Sequence, residues 1–212
     1  MIDAVVFDFG GVFMASPFEA LRKLGDENGA SYEQTLGIVF GPYAQDTDHP
    51  WHRVERGELD LMTARDEIQA LGRLDGFELD LFEMLKHIGS SGGVRDDMVE
   101  CVRRVRAKGL KTAILTNNIV EGRDFWRPML PLDELFDAVV DSSEVGMRKP
   151  NPAIYHHTLD QLGGVEPSRS VFLDDFEGNV VAAEAVGMIG ILVEVDPAPA
   201  IARVDDLLAS LA

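Results

Sequence analysis

Four short clusters carry side chains whose types and spacing could do chemistry together: Asp8-Phe9-Gly10-Gly11-Val12, Thr116-Asn117-Asn118, Glu144-Val145-Gly146-Met147-Arg148-Lys149-Pro150, and Asp174-Asp175. An aspartate followed by two glycines offers a carboxylate on a tight turn, because glycine accepts φ > 0. Thr116 offers a hydroxyl, Asn117 and Asn118 offer backbone N–H groups, Lys149 offers an ammonium, and an aspartate pair can seat a divalent cation. Each cluster also has an ordinary reading as a turn, a helix cap or a solvated loop charge. Together they supply a nucleophile, a hydroxyl donor, a cation and a metal-binding carboxylate, the parts needed to move a phosphoryl group.

The chemistry such a set predicts is compact. A phosphate monoester dianion resists attack by another anion, so a Mg²⁺ held by carboxylates, a backbone carbonyl and waters is expected. Asp8 would attack phosphorus and form an aspartyl-phosphate that water then hydrolyses. Lys149, Thr116 and the N–H groups of Asn117 and Asn118 would hold the equatorial oxygens.

The elements that must position these residues are legible. Short apolar runs precede the clusters: Ala4-Val5-Val6-Phe7, Thr112-Ala113-Ile114-Leu115, Ala138-Val139-Val140 and Ser170-Val171-Phe172-Leu173, with Ile189-Gly190-Ile191-Leu192-Val193 as a fifth. Amphipathic segments lie between them, at 96–108, 152–162 and 179–186. This alternation predicts an α/β fold, a doubly wound parallel sheet whose strand ends carry the site. Residues 14–91 break the alternation with helical patterns at 18–28, 31–39, 51–56, 61–71 and 79–88. The expected organisation is a core of residues 1–13 and 92–212 with an all-helical cap, 14–91, inserted after the first strand. Ser90-Ser91-Gly92-Gly93 is the expected return hinge.

Composition bounds the partners. The 212 residues carry a formal charge of −18, which disfavours nucleic acid and anionic lipid and leaves a small phosphorylated metabolite as the expected partner. No apolar run is long enough to span a bilayer, no signal-peptide pattern opens the chain, and the single Cys101 fits a reducing cytoplasm. Monomer and homodimer both remain open, as does the packing of the Ala-rich segment from Pro199 to Ala212.

In this order, the motifs resemble those of the haloacid dehalogenase superfamily. The match runs through Val6–Val12, Ile114–Asn118, Val145–Pro150 and Phe172–Asp175 on to Asn179 and Gly187-Met188. Within the superfamily the chain is similar to the small-cap subgroup that includes the phosphatase domain of soluble epoxide hydrolase and bacterial sugar-phosphate phosphatases. Glu55-Arg56-Gly57-Glu58-Leu59 also looks like that subgroup. The resemblance implies that Asp8 is nucleophile and metal ligand, that the Gly10 carbonyl binds Mg²⁺, and that Thr116 and Lys149 hold phosphate. It makes Asp175 the direct metal ligand and Asp174 its supporting neighbour, with exchanged roles as the alternative. The paired aspartates favour phosphate chemistry over carbon–halogen cleavage.

One departure stands out. The family pattern has a second aspartate, an acid–base group, where this chain has Gly10. Either water or a cap residue (His49 or His52) supplies the proton, or the leaving group needs little protonation. A catalytically silent phosphate-binding protein is the remaining alternative. Trp51, His52 and Arg53, with His49, are the candidate substrate contacts in the cap, against the ordinary reading that they only pack there. His156, His157 and Cys101 are expected to be structural.

Overall fold

The computed structural model describes residues 2–90 and 92–210. Five parallel strands form one sheet: β1 (Ala4–Phe7), β2 (Lys111–Thr116), β3 (Ala138–Asp141), β4 (Ser170–Asp174) and β5 (Ile189–Leu192), in the order β3-β2-β1-β4-β5. Between β1 and β2 come α1 (Pro17–Asn28), α2 (Tyr32–Val39), α3 (Pro50–Glu55), α4 (Leu61–Leu74), α5 (Leu81–Ser90) and α6 (Asp96–Ala107). The turns α7 (Arg123–Trp126) and α8 (Leu132–Leu135) lead into β3, and α9 (Ser142–Val145) and α10 (Pro152–Gln161) follow it. Then α11 (Glu177–Ala185) follows β4, and α12 (Ala198–Ala209) follows β5.

Side chains of a strand alternate between sheet faces, so β1 feeds two cores. Val5 and Phe7 pack with Met98, Val102 and Val105 of α6 and with Val204 and Leu208 of α12. Ala4 and Val6 pack on the other face with Ile154, Tyr155 and Leu159 of α10 and Ala183 of α11. Helices on both faces explain why the strands read as unbroken apolar runs. The C-terminal segment therefore packs on the sheet through α12; Leu211 and Ala212 lie outside the described residues.

The helices α1 to α5 carry a third apolar cluster of their own, including Leu21, Ile38, Phe40, Trp51, Ile68 and Met84, with Ile119 of the core against it. Two of the helix boundaries that differ from the periodicity have a visible cause. α5 begins at Leu81 because Asp80 caps it, its Oδ1 accepting from Phe82 N at 3.0 Å, while the apolar Leu79 packs just outside the helix. α4 runs on to Leu74 because the chain does not turn out of it until Gly76, at φ 83°. Of the expected hinge, Ser91 lies outside the described residues, and Gly92 takes φ 109°.

Candidate active site

The register of β1 sets the site. Phe7 pairs with Ile114 on one side and Leu173 on the other, so the strand ends that follow reach one edge together. Asp8 N donates to Leu173 O at 2.8 Å, which carries the sheet one residue beyond β1 and fixes the start of the Asp8 side chain. Gly11 turns the chain at φ 69°, and a Cβ there would fall inside the Asp175 carboxyl group, so only glycine fits.

Lys149 is buried between carboxylates. Its Nζ donates to Asp174 Oδ2 at 2.6 Å and stands 2.9 Å from Asp8 Oδ1. The second approach is an ion pair, and Asp8 Oδ1 has no other polar partner among the described residues. Asn117 holds Lys149 by its backbone: Asn117 Nδ2 donates to Lys149 O at 3.0 Å, and Lys149 N donates to Asn117 Oδ1 at 2.8 Å. Asp174 also accepts from Phe176 N at 2.8 Å and from Asn179 Nδ2 at 3.1 and 3.2 Å, so its carboxylate is saturated. Asp175 takes a hydrogen bond from Ser16 Oγ, the N-cap of α1.

One ammonium thus faces three carboxylates, and the electrostatics show the excess. Burial pushes the Asp8 carboxyl up to about 7, with Lys149 opposing and Asp174 adding to the rise. Burial, then Asp174 and Asp8, hold the Asp175 carboxyl well above the usual range. Burial opposes charge on Lys149, but Asp174 and Asp8 outweigh it and its net shift is upward. Asp8, Asp174 and Asp175 each present an oxygen within 4.8 Å of the others. Three clustered carboxylates facing one ammonium fit a hard divalent cation. Asp8 and Asp175 have the open valences for it; Asp174 is committed to Lys149 and Asn179.

A cavity of about 320 Å³ adjoins this edge, and Gly10, Thr116, Asn117, Asn118 and Trp51 line it. A separate hollow of about 500 Å³ is lined by Gly11, Ser16, Arg22, Arg95 and Asp175. The residues of the helical block singled out in the sequence divide sharply. Trp51 lines the cavity, whereas His49, His52 and Arg53 do not. His49 caps α3, its Nδ1 accepting from Trp51 N at 3.2 Å, and His52 Nδ1 accepts from Thr47 N at 3.1 Å. Burial lowers His49 to about 4 and, with Arg148 adding to it, His52 to about 3, so both are neutral near pH 7. Arg53 pairs with Glu67 at 3.4 Å. Asn118 also sits differently from expectation: its N–H donates to Ser142 Oγ at 3.0 Å, because the loop after β2 leans on the start of α9. Cys101 is buried in α6, as a structural thiol should be.

Sequence reasoning missed a buried network that ties the helical block to the Lys149 loop. Arg148 Nε donates to Glu55 Oε2 at 2.6 Å, and Glu55 Oε1 accepts from Tyr43 OH and Trp51 Nε1, each at 2.9 Å. Burial raises the Glu55 carboxyl, with Arg148 opposing. The available signal was a glutamate one helical turn after Trp51, on the same face as an apolar anchor.

Residues 2–187 match the family model for haloacid dehalogenase-like hydrolases, and the chain belongs to that family. It is 30% identical to the sesquiterpene phosphatase astK of Aspergillus oryzae, over 89% of this chain and 88% of that protein. It is 35% identical to the bifunctional epoxide hydrolase 2 of Rattus norvegicus, over 52% of this chain and 21% of that protein. The chain spans about a fifth of the length of such larger relatives. A haloacid dehalogenase family enzyme of Bacteroides thetaiotaomicron, solved with magnesium and inorganic phosphate, superposes with a TM-score of 0.62 at 20% identity, over 92% of this chain and 96% of that one. The fold and the hydrolase class follow from these matches. Among the described residues, no helix is long and apolar enough to cross a membrane.

Proposed function

We propose that this hydrolase cleaves small phosphomonoesters through an aspartyl-phosphate on Asp8, with Mg²⁺ as cofactor. The observation that carries the reading is the buried Oδ1 of Asp8, ion-paired with Lys149 and clustered with two further carboxylates. Asp8 and Asp175, with the carbonyl of Gly10, would hold the ion, and Asp174 would keep Lys149 charged and aimed. Bound there, Mg²⁺ neutralises charge on the phosphate and on the attacking carboxylate.

The chain's own groups do the rest. Asp8 attacks phosphorus, the ester P–O bond breaks, the departing alkoxide or phenolate takes its proton from water, and a second water later cleaves the acyl-phosphate. Lys149 and the Thr116 hydroxyl bind equatorial oxygens, with the backbone N–H of Asn117 as a further donor. The N–H of Asn118 is spent on Ser142 and has no part in this. The helices of residues 14–91 act as a cap, with Trp51 forming part of the wall over the substrate. Several relatives carry phosphatase names, which supports the same class.

The test is release of inorganic phosphate from a panel of monoesters, with Mg²⁺ and with chelator, for the wild type and for Asp8→Asn. Release that needs both Asp8 and Mg²⁺ is expected. Metal-independent halide release from short haloacids, with no phosphate release, would replace this reading with dehalogenation.

A further inference from the structure

The cavity beside Gly10 and Thr116 carries information about the alcohol half of the substrate. Its volume, about 320 Å³, suits a small organic group. Its walls are mostly carbon, with Met14, Phe40, Trp51, Leu85, Ile119 and Phe125 among them, and among the described residues no lysine or arginine lines it. Most polar side chains in the wall are already engaged; the exceptions are Trp126 Nε1, buried without a partner among the described residues, and the Thr116 hydroxyl, assigned above to the phosphate. Glu55 accepts from Arg148, Tyr43 and Trp51; Asn117 is clamped on Lys149; Asn118 Oδ1 accepts from Ile119 N; Glu121 accepts from Leu61 N.

A sugar placed here would find one free donor, Trp126 Nε1, and for its other hydroxyls would exchange water for partners already in use, which disfavours their burial. A second anionic group would meet Glu55 and Glu121 with no cation in the wall. An apolar group meets neither obstacle and gains from leaving water. Phe125, 55% exposed while lining the cavity, extends the apolar surface to its mouth.

The same wall lacks a poised acid. Glu55 is ion-paired, Tyr43 donates to Glu55, and His49 and His52 lie elsewhere. A departing alkoxide needs a proton far more than a phenolate does. We propose that the substrate is the phosphate monoester of an apolar phenol, held with its ring in this cavity. The inference rests on the phosphatase reading above and departs from the sugar phosphates that the sequence resemblance suggests.

Four monoesters separate the possibilities: 4-butylphenyl phosphate, O-phosphotyrosine, hexyl phosphate and glucose 6-phosphate, assayed with Mg²⁺ on the full chain. Butylphenyl phosphate and phosphotyrosine release similar phenols but differ in charge and polarity. At up to about fourfold per buried methylene, 4-butylphenyl phosphate should exceed phosphotyrosine by at least about tenfold in kcat/KM. Hexyl phosphate should bind, as a competitive inhibitor, but turn over much more slowly. Gly89 lines the cavity, and a Cβ on it meets nothing within 4 Å. Gly89→Leu should therefore shrink the ratio of kcat/KM for 4-butylphenyl over unsubstituted phenyl phosphate, and an unchanged ratio would overturn the placement of the apolar group in this cavity. Phosphotyrosine or glucose 6-phosphate as the better substrate would overturn the inference while leaving the phosphatase reading in place. Equal turnover of hexyl and 4-butylphenyl phosphate would overturn its phenolic part. No Asp8-dependent release from any ester, p-nitrophenyl phosphate included, would sink both readings.

Discussion

Arg148 and Glu55 form an ion pair at 2.6 Å with both side chains almost wholly excluded from solvent. The pair joins the residue before Lys149 to the end of α3, so the Lys149 loop and the helical block share one buried charge network. The Arg148 guanidinium also lies 4.8 Å from the centre of the Tyr43 ring and donates to Gln45 O at 2.7 Å. Removing one partner strands the other charge in a medium that cannot solvate it. Arg148→Met should therefore destabilise the fold by about 3–5 kcal/mol, read from urea unfolding. The double change Arg148→Met with Glu55→Gln should recover part of the loss, and a double variant as unstable as the single one would refute the pairing argument.

Asp8→Asn should separate activity from stability. Turnover is expected to fall by more than about 10⁴-fold, because the substituted amide is no nucleophile. Stability without metal should rise, since burial and Asp174 make the ionised Asp8 carboxylate unfavourable. Thermal melts in chelator at about pH 8 provide the check; a lower Tm than wild type would contradict it.

Gly10→Asp should be tolerated. Gly10 has no positive φ, and a Cβ there meets only Pro17, with Cδ at 3.4 Å and Cγ at 3.8 Å. An acid added at this position should raise kcat for alkyl phosphates, toward the roughly 10²–10⁴-fold that acid–base groups contribute, and change aryl phosphates little. Equal gains on both ester types would show that proton supply does not limit the alkyl reaction.

Metal dependence should follow pH with a definite sign. Asp8 is raised from 3.8 to about 7, so without metal its contribution to stability is fully present below the unfolded value and is lost as pH rises through about 7. A cation that neutralises the cluster should restore that loss. The Tm increase on adding Mg²⁺ is expected to be larger at about pH 8 than at about pH 5, and a pH-independent increment would place the ion elsewhere.

His52 supplies the opposite signature. Burial lowers it from 6.5 to about 3, so it favours the fold above its unfolded value, and that contribution is lost as pH falls from about 6.5 toward 3. At about pH 5 the loss amounts to about 2 kcal/mol. His52→Gln should flatten the acid limb of the stability curve measured by urea unfolding; an unchanged limb would show that His52 is protonated in the native state.

The strands, the site cluster and the helical block were readable because each rests on local pattern: apolar runs, glycine turns and 3.6-residue periodicity. Asp8, Lys149 and Asp174 could be brought together on paper, since parallel strands deliver their ends to one edge. What side chains do with their hydrogen bonds was not readable. Asn118 spends its N–H on Ser142, His52 takes Thr47, and Glu55 finds Arg148 across the sequence. Those pairings depend on loop paths that no periodicity encodes. The division of labour between Asp174 and Asp175 is likewise a matter of contact: Asn179 and Lys149 claim the first, and Ser16 touches the second.

The central place of β1 also governs when the site can exist. Its neighbours β2 and β4 lie far along the chain, so the residues that flank Asp8 are synthesised long after it. Closing such distant pairings is entropically slow. Until β4 docks, Asp8 remains a hydrated, ordinary aspartate, without Lys149 aimed by Asp174. The raised, ion-paired Asp8 carboxylate is thus a property of the assembled sheet, and a partly unfolded chain carries the residue without that environment.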